Sequence, residues 1–179
     1  MYLIETERLR LRRLTEEDRE AVHSVLLNKE IMDPMHLPVS GAFADDWLHR
    51  MIAHYQTHGP ANWYAERKED GAFIGIMGVI LSEIDGVSCA ELGYLVHPDF
   101  HRRGYALEGV KACMEYAFTV LNADYVTTAV ASDNLPSIRL TEKLGLFPIQ
   151  ERLYKNGNQE TLYILYGLNR PSDERAVQA

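Results

Sequence analysis

Glu91-Leu92-Gly93-Tyr94-Leu95-Val96-His97-Pro98-Asp99-Phe100-His101-Arg102-Arg103-Gly104-Tyr105-Ala106 is the stretch on which the rest of the chain is ordered. Leu92–Val96 is uncharged and reads as a strand that stops at His97-Pro98. A short basic loop follows. Beyond it Ala106, Leu107, Val110, Cys113, Met114, Ala117, Phe118 and Leu121 recur every three or four residues, the period of a long amphipathic helix. Gly104 therefore sits where a helix starts. The first N–H groups of a helix have no partner inside it, and the helix dipole is positive at that end, so such a start can hold phosphate. Arg102 and Arg103 add charge, and Gly104 permits close backbone approach. The alternative is an ordinary strand-to-helix turn with solvated arginines.

Downstream, Tyr125–Ala131 is a β-branched run and reads as a strand. A helix joins it to the strand ending at Val96, so the two are expected to be parallel neighbours through a right-handed crossover. Ser137–Leu144 reads as a short helix closed by Gly145. Ile149–Lys155 and Gln159–Leu168 flank Asn156-Gly157, a two-residue hairpin signal. Upstream, Trp63–Arg67, Ala72–Ser82 and Ser88–Val96 are separated by turns at Glu69-Asp70-Gly71 and Asp85-Gly86, which suggests an antiparallel meander. Trp47, Leu48, Met51, Ile52 and Tyr55 recur at helical spacing and stop before Gly59-Pro60. Pro34, Pro38 and Gly41 mark a loop before them. Thr15-Glu16-Glu17-Asp18 reads as a capping box opening a helix over Ala21, Val22, Val25 and Leu26. Leu9–Leu14 alternates apolar with basic and reads as a half-buried strand. This order gives an α/β (α+β) sandwich on one mixed, mostly antiparallel sheet.

The 179 residues weigh 20.4 kDa and suit one domain, here residues 1–170, with a loose tail at 171–179. Apolar residues make up 46% and charged residues 25%, which excludes a disordered or fibrous chain. Eighteen Lys and Arg against 26 Asp and Glu give a net charge of −8. That balance argues against nucleic acid and anionic membranes as general partners. The uncharged apolar run Gly71–Ser82 has 12 residues and is too short to span a bilayer. Glu5 interrupts any signal-like apolar core at the N-terminus. Cys89 and Cys113 lie in apolar contexts without a C-x-x-C, as expected of free thiols in a reducing cytoplasm.

His101-Arg102-Arg103-Gly104-Tyr105-Ala106 resembles the pyrophosphate-gripping loop of the GNAT N-acetyltransferase superfamily. Thr6-Glu7-Arg8-Leu9-Arg10-Leu11-Arg12 with Thr15–Asp18, Phe73-Ile74-Gly75, and Asn134…Ser137…Glu142-Lys143-Leu144-Gly145 are similar to its Rim-type subgroup, which acetylates ribosomal-protein N-termini. The resemblance covers residues 3–168. It implies a seven-stranded sheet with a splayed parallel pair, flanked by about four helices. It also implies acetyl-CoA as co-substrate, held by Arg102, Arg103, Gly104, Tyr105 and Ala106 and by the backbone of Tyr94, Leu95 and Val96, along which the pantetheine arm lies like an added strand. His101 departs from the Gln or Arg usual at its position. Thr141 stands where many members carry a tyrosine that protonates the thiolate. The Rim-type pattern gives that task to Ser137.

An amine attacking a thioester must be neutral, aligned with the carbonyl, and provided with a stabilised leaving thiolate. Glu91, a carboxylate beside an uncharged strand run, can take the ammonium proton directly or through water, or can simply face solvent. Ser137 can donate to sulfur or serve as a first-turn serine. Asn134 can pair with the pantetheine amide or terminate the strand. Met32, Met35 and Trp47 can line an acceptor pocket or belong to the core.

His54 and His58 are four apart but lack further ligands, so no metal is expected. Gly75-Ile76-Met77-Gly78 lacks the strand–helix context of a dinucleotide fingerprint and reads as a bulge or close packing. The expected activity is acetyl transfer from acetyl-CoA to a primary amine, foremost a protein or peptide N-terminus, in a ternary complex without a cysteine acyl carrier. The alternatives are a small amine such as a polyamine, amino acid or aminosugar drug, and a non-catalytic acyl-CoA-binding module. A homodimer is left open.

Overall fold

Thr15 and Asp18 behave as their spacing requires. The Thr15 N–H donates to Asp18 Oδ2 at 2.8 Å, and Arg12 grips the same carboxylate with two bonds of 2.7 Å. This junction turns strand β2 (Leu9–Arg12) into helix α1 (Arg19–Leu26), whose Val22, Val25 and Leu26 are buried. Burial alone would raise the Asp18 pKa; the Arg12 and Thr15 bonds more than offset it and hold it below the usual value.

The remaining elements are β1 (Ile4–Glu5), α2 (Lys29–Met32), α3 (Gly41–Thr57), β3 (Asn62–Arg67), β4 (Phe73–Ile84), β5 (Val87–Val96), α4 (Tyr105–Thr119), β6 (Tyr125–Ala131), α5 (Leu135–Lys143), β7 (Phe147–Asn156) and β8 (Gln159–Asn169). The computed structural model describes residues 1–84, 86–156 and 159–171. Asp85, Gly157, Asn158 and Ser172–Ala179 lie outside them, and with them the tips of two expected turns and the expected tail.

The strands form one eight-stranded sheet in the order β1-β2-β3-β4-β5-β6-β8-β7. All pairs are antiparallel except β5 with β6. The sheet thus has eight strands rather than seven. The addition is β1, two residues paired to β2 and too short to leave an alternation in the sequence. The described residues also hold five α-helices rather than four. The extra one, α2, lies inside the expected loop, where the Asn28 side chain accepts from the Glu30 N–H at 2.9 Å.

Gly75 and Gly78 are close-packing positions, as expected. A Cβ at Gly75 would stand 2.0 Å from the Leu95 carbonyl oxygen, and one at Gly78 would stand 2.4 Å from Asn62 Cα. The β3–β4 register shifts between Ala65 and Glu66, opposite Gly75. On one face, Met77 of β4 meets Gly109 of α4. On the other, Asn62 approaches both Gly93 of β5 and the Met51 sulfur of α3. Helices therefore cover both faces of the sheet.

Candidate active site

The parallel pair β5–β6 is where the sheet opens. Its register holds only Ala90 with Val126 and Glu91 with Thr127. The His97 N–H donates to the Ile74 carbonyl, which fixes the alternation of the β4–β5 ladder. In that ladder Leu95 turns its peptide toward Ile76. Leu92, Tyr94 and Val96 turn theirs toward the gap. The Leu92 carbonyl accepts from Thr128 Oγ1 at 3.0 Å, and the Val96 carbonyl meets His101 Nε2 at 2.8 Å. Between them the Tyr94 peptide faces the open part of the sheet. Of the three backbones expected to carry the pantetheine, that of Tyr94 turns to the open part of the sheet. Leu95 is committed to β4, and the Val96 carbonyl is occupied by the histidine of the loop itself.

The gap opens into a cleft of about 690 Å³, ample for an extended cofactor arm. One wall is the loop and the start of α4: His101, Arg102, Gly104, Tyr105, Ala106 and Leu107. Gly104 is the N-cap with φ +82, a conformation that L side chains avoid. The first helical bond runs from Glu108 N–H to Gly104 O, so the N–H groups of Tyr105, Ala106 and Leu107 have no acceptor within the helix. Arg8 braces the loop: it bonds the Arg103 carbonyl at 3.0 Å, pairs with Glu108 at 2.6 Å and lies over the Tyr105 ring. Arg102 lines the cleft. Arg103 does not; its guanidinium lies 5.8 Å from the Phe100 ring centre, and its part in the loop is carried by its backbone.

The opposite wall is α5. Asn134 is its N-cap, and its Oδ1 accepts from the Ser137 N–H at 3.2 Å. The capping role considered for Ser137 thus belongs to Asn134, leaving the Ser137 hydroxyl to the cleft. Thr141, one turn on, is buried and spends its hydroxyl on the Ser137 carbonyl at 2.8 Å. Arg139 and Lys143 also line the cleft. Neither belongs to the motif, although two cations four residues apart on a helix facing an anion loop are a usable signal. With Arg102 they make a cationic lining suited to phosphates.

Tyr94 shares a sheet face with Met77, its cross-strand partner, and hence the α4 side of the sheet. Its hydroxyl is buried without a hydrogen-bond partner, which costs on the order of 1–3 kcal/mol. Burial pushes its pKa up; the nearby Ser137 hydroxyl pulls it back, though the two are not in hydrogen-bond geometry as they stand. The sequence motif points to the backbone of Tyr94 and carries no sign of its phenol, because no periodicity tells whether a hydroxyl is satisfied.

Glu91 alternates to the other face. It does not line the cleft, and burial raises its carboxyl pKa. Of the three residues expected at an acceptor pocket, only Met35 lines the cleft. Met32 is fully buried and belongs to the core; Trp47 packs against that core. Met35 is held by Tyr163, whose hydroxyl donates to its carbonyl, and by the His36–Asp133 contact at 3.0 Å beside it. Glu30 adds a carboxylate to the lining. Cys113 is fully buried with its thiol pushed up, and Cys89 is buried as well, so neither fits an acyl carrier.

Residues 8–146 match the family model of the acetyltransferase (GNAT) domain. The chain is 29% identical over 160 residues to the uncharacterized N-acetyltransferase YoaA of Bacillus subtilis, covering 87% of this chain and 90% of that protein. The ribosomal-protein-S5-alanine acetyltransferase of Vibrio fischeri has a similar fold, with a TM-score of 0.76 at 17% identity, covering 94% of this chain and 96% of that one. So does the spermidine N-acetyltransferase of Vibrio cholerae, solved with CoA and spermine, with a TM-score of 0.74 at 21% identity over 90% and 95% of the two chains.

Proposed function

The chain belongs to the GNAT acetyltransferase family, an enzyme family of acetyl-CoA-dependent acyl transfer, and we propose that it acetylates a primary amine in the cytoplasm, foremost the N-terminus of a protein or peptide. The observation that carries this reading is a single cleft joining unpaired helix N–H groups, the Tyr94 peptide in the sheet gap and the Ser137 hydroxyl. Arg102, Arg139, Lys143 and the N–H groups of Tyr105–Leu107 would hold the phosphates. Tyr94 would hold the pantetheine through its backbone. Bound acetyl-CoA supplies an activated acetyl carbonyl and a thiolate leaving group. Ser137 donates a hydrogen bond to the departing sulfur. Asn134 orients α5 so that it can.

The acceptor enters as an ammonium and must lose a proton. Glu91 lies across the sheet from Ser137, so it takes that proton through water rather than by contact. A net charge of −8 and Glu30 in the cleft lining favour a cationic acceptor. Both a peptide N-terminus and a polyamine meet that condition. The N-terminus is preferred because the motifs of residues 6–18 and 134–145 resemble the Rim-type pattern.

A free-thiol assay with acetyl-CoA tests the reading across N-terminal peptides, polyamines, amino acids and aminosugars. Release of CoA with peptides and not with polyamines supports it. The reverse moves the acceptor to small amines. Tight CoA binding with no thiol release from any amine leaves a binding module.

A further inference from the structure

Ser137 is a weak choice for sole proton donor, since an aliphatic hydroxyl is a far weaker acid than a thiol. Thr141, the next hydroxyl along α5, is buried and committed to the Ser137 carbonyl. Tyr105, the other phenol of the cleft lining, has its hydroxyl against Arg67. The hydroxyl that remains is the phenol of Tyr94. Among the described residues, Tyr94 Oη and His54 Nε2 are the buried side-chain polar atoms without a hydrogen-bond partner. His54 lies at the far end of α3, stacked on His58 and away from the cleft lining. Tyr94 lines the cleft, on the strand where the sheet opens. Its neighbour in that lining is the Ser137 hydroxyl, the group through which it can act on a bound thioester.

We propose that Tyr94 stands behind Ser137 as the proton source of a two-residue relay, with Ser137 touching the sulfur and Tyr94 acting through it. The proposal rests on the acyl-transfer reading above. In the step, the neutral amine nitrogen forms the C–N bond, and the C–S bond breaks with its electron pair passing to sulfur. Sulfur takes the Ser137 proton, Ser137 takes the Tyr94 proton, and the proton shed by the new amide nitrogen passes to water. Water returns a proton to the phenolate before the next cycle. Burial, which favours the neutral phenol, keeps Tyr94 loaded between turnovers.

The test uses the full chain with Tyr94→Phe, Ser137→Ala and the double variant. Tyr94→Phe is expected to lower kcat about 100-fold while CoA affinity stays within a few fold. The variant should leave the thiol of bound CoA titrating about one unit higher than in the wild type, read by thiolate absorbance against the protein without CoA. In the Ser137→Ala background, Tyr94→Phe should add nothing, because a relay cannot be broken twice. A merely structural Tyr94 would cost as much in either background, and that result overturns the relay. So does an unchanged kcat and thiol titration in Tyr94→Phe. Fluorotyrosine at position 94 guards against a folding defect: the alkaline fall of kcat should move to lower pH, and no movement counts against the relay. Failure of the wild type to bind CoA would overturn the acyl-transfer reading itself; CoA binding with no Tyr94 effect overturns the relay alone.

Discussion

At the scale of single residues, the site divides into groups held by bonds and groups held by shape. Gly104 is the second kind: only Arg8 approaches the place of its Cβ, at 3.4 Å, so its requirement is its φ of +82. Gly104→Val must strain that conformation and point a branched side chain where phosphate would lie. Acetyl-CoA at 100 times its Kd should add about 2.7 kcal/mol to the unfolding free energy of the wild type. The valine variant should lose that increment in a thermal-shift titration. Ser137→Ala should lower kcat roughly 100- to 1,000-fold and leave acetyl-CoA affinity nearly unchanged, since the hydroxyl acts on charge that develops late; equal turnover at saturation would remove it from the sulfur. Glu91→Gln has two readouts. As a relayed base, its loss should depress kcat/KM at low pH, with recovery where the amine is already neutral. Its stability effect has the opposite sense. A carboxyl whose pKa is raised on folding binds protons more tightly in the folded state, so it destabilises the fold above its unfolded pKa. The Gln variant should therefore unfold at higher temperature than wild type at pH 7, and the difference should vanish below about pH 4.

At the scale of elements, β5 is the member on which the site depends. Its peptide bonds serve β4 on one edge and the gap on the other, and its position is set by close contact at Gly75. Gly75→Ala would drive a Cβ against the Leu95 carbonyl, a backbone atom that cannot turn aside. The expected result is a loss of about 1–3 kcal/mol in denaturant unfolding, together with weaker acetyl-CoA binding, because the strand that moves also lines the cleft. An alanine at Gly71, with no atom within 4 Å of its Cβ, serves as the control for φ strain without collision. Its φ of +73 should make it mildly destabilising while acetyl-CoA binding stays intact.

Across the whole molecule, charge and fold are linked through buried or paired carboxylates. Asp18 is depressed despite its burial, Asp45 is held at about 2 by bonds from Arg19 and His23, and Asp70 at about 2 by Arg67 and the Ala72 N–H. A depressed folded pKa means that the unfolded chain binds more protons in the window below the ordinary carboxylate value. Stability from these groups is complete above about pH 5 and should fall as pH drops toward 2. Asp18→Asn should be destabilising in denaturant unfolding at pH 7, and the gap to wild type should narrow as the pH falls through that window.

Most of the architecture was legible because it rests on short-range rules. The Thr15–Asp18 box, the helical stripe from Ala106 to Leu121 and the β-branched run Tyr125–Ala131 are written in local spacing, and the structure follows them. The parallel placement of β5 and β6 follows from the helix between them. Loop His101–Ala106 and Ser137 were legible as a motif, and the fold brings them to one cleft. What the sequence left open is what depends on neighbours distant along the chain. Met32 and Met35 are three residues apart and look alike in sequence, yet one is core and the other lines the cleft. Glu91 looks poised on the cofactor strand, but the two-residue alternation of a strand turns it to the face opposite Tyr94. Whether the Val96 carbonyl is free was settled by a histidine folding back from the loop, and whether the Tyr94 phenol is satisfied was settled by what packs around it. A strand's pattern fixes that its faces differ; only packing fixes which face meets the cleft and which hydroxyl finds no partner there.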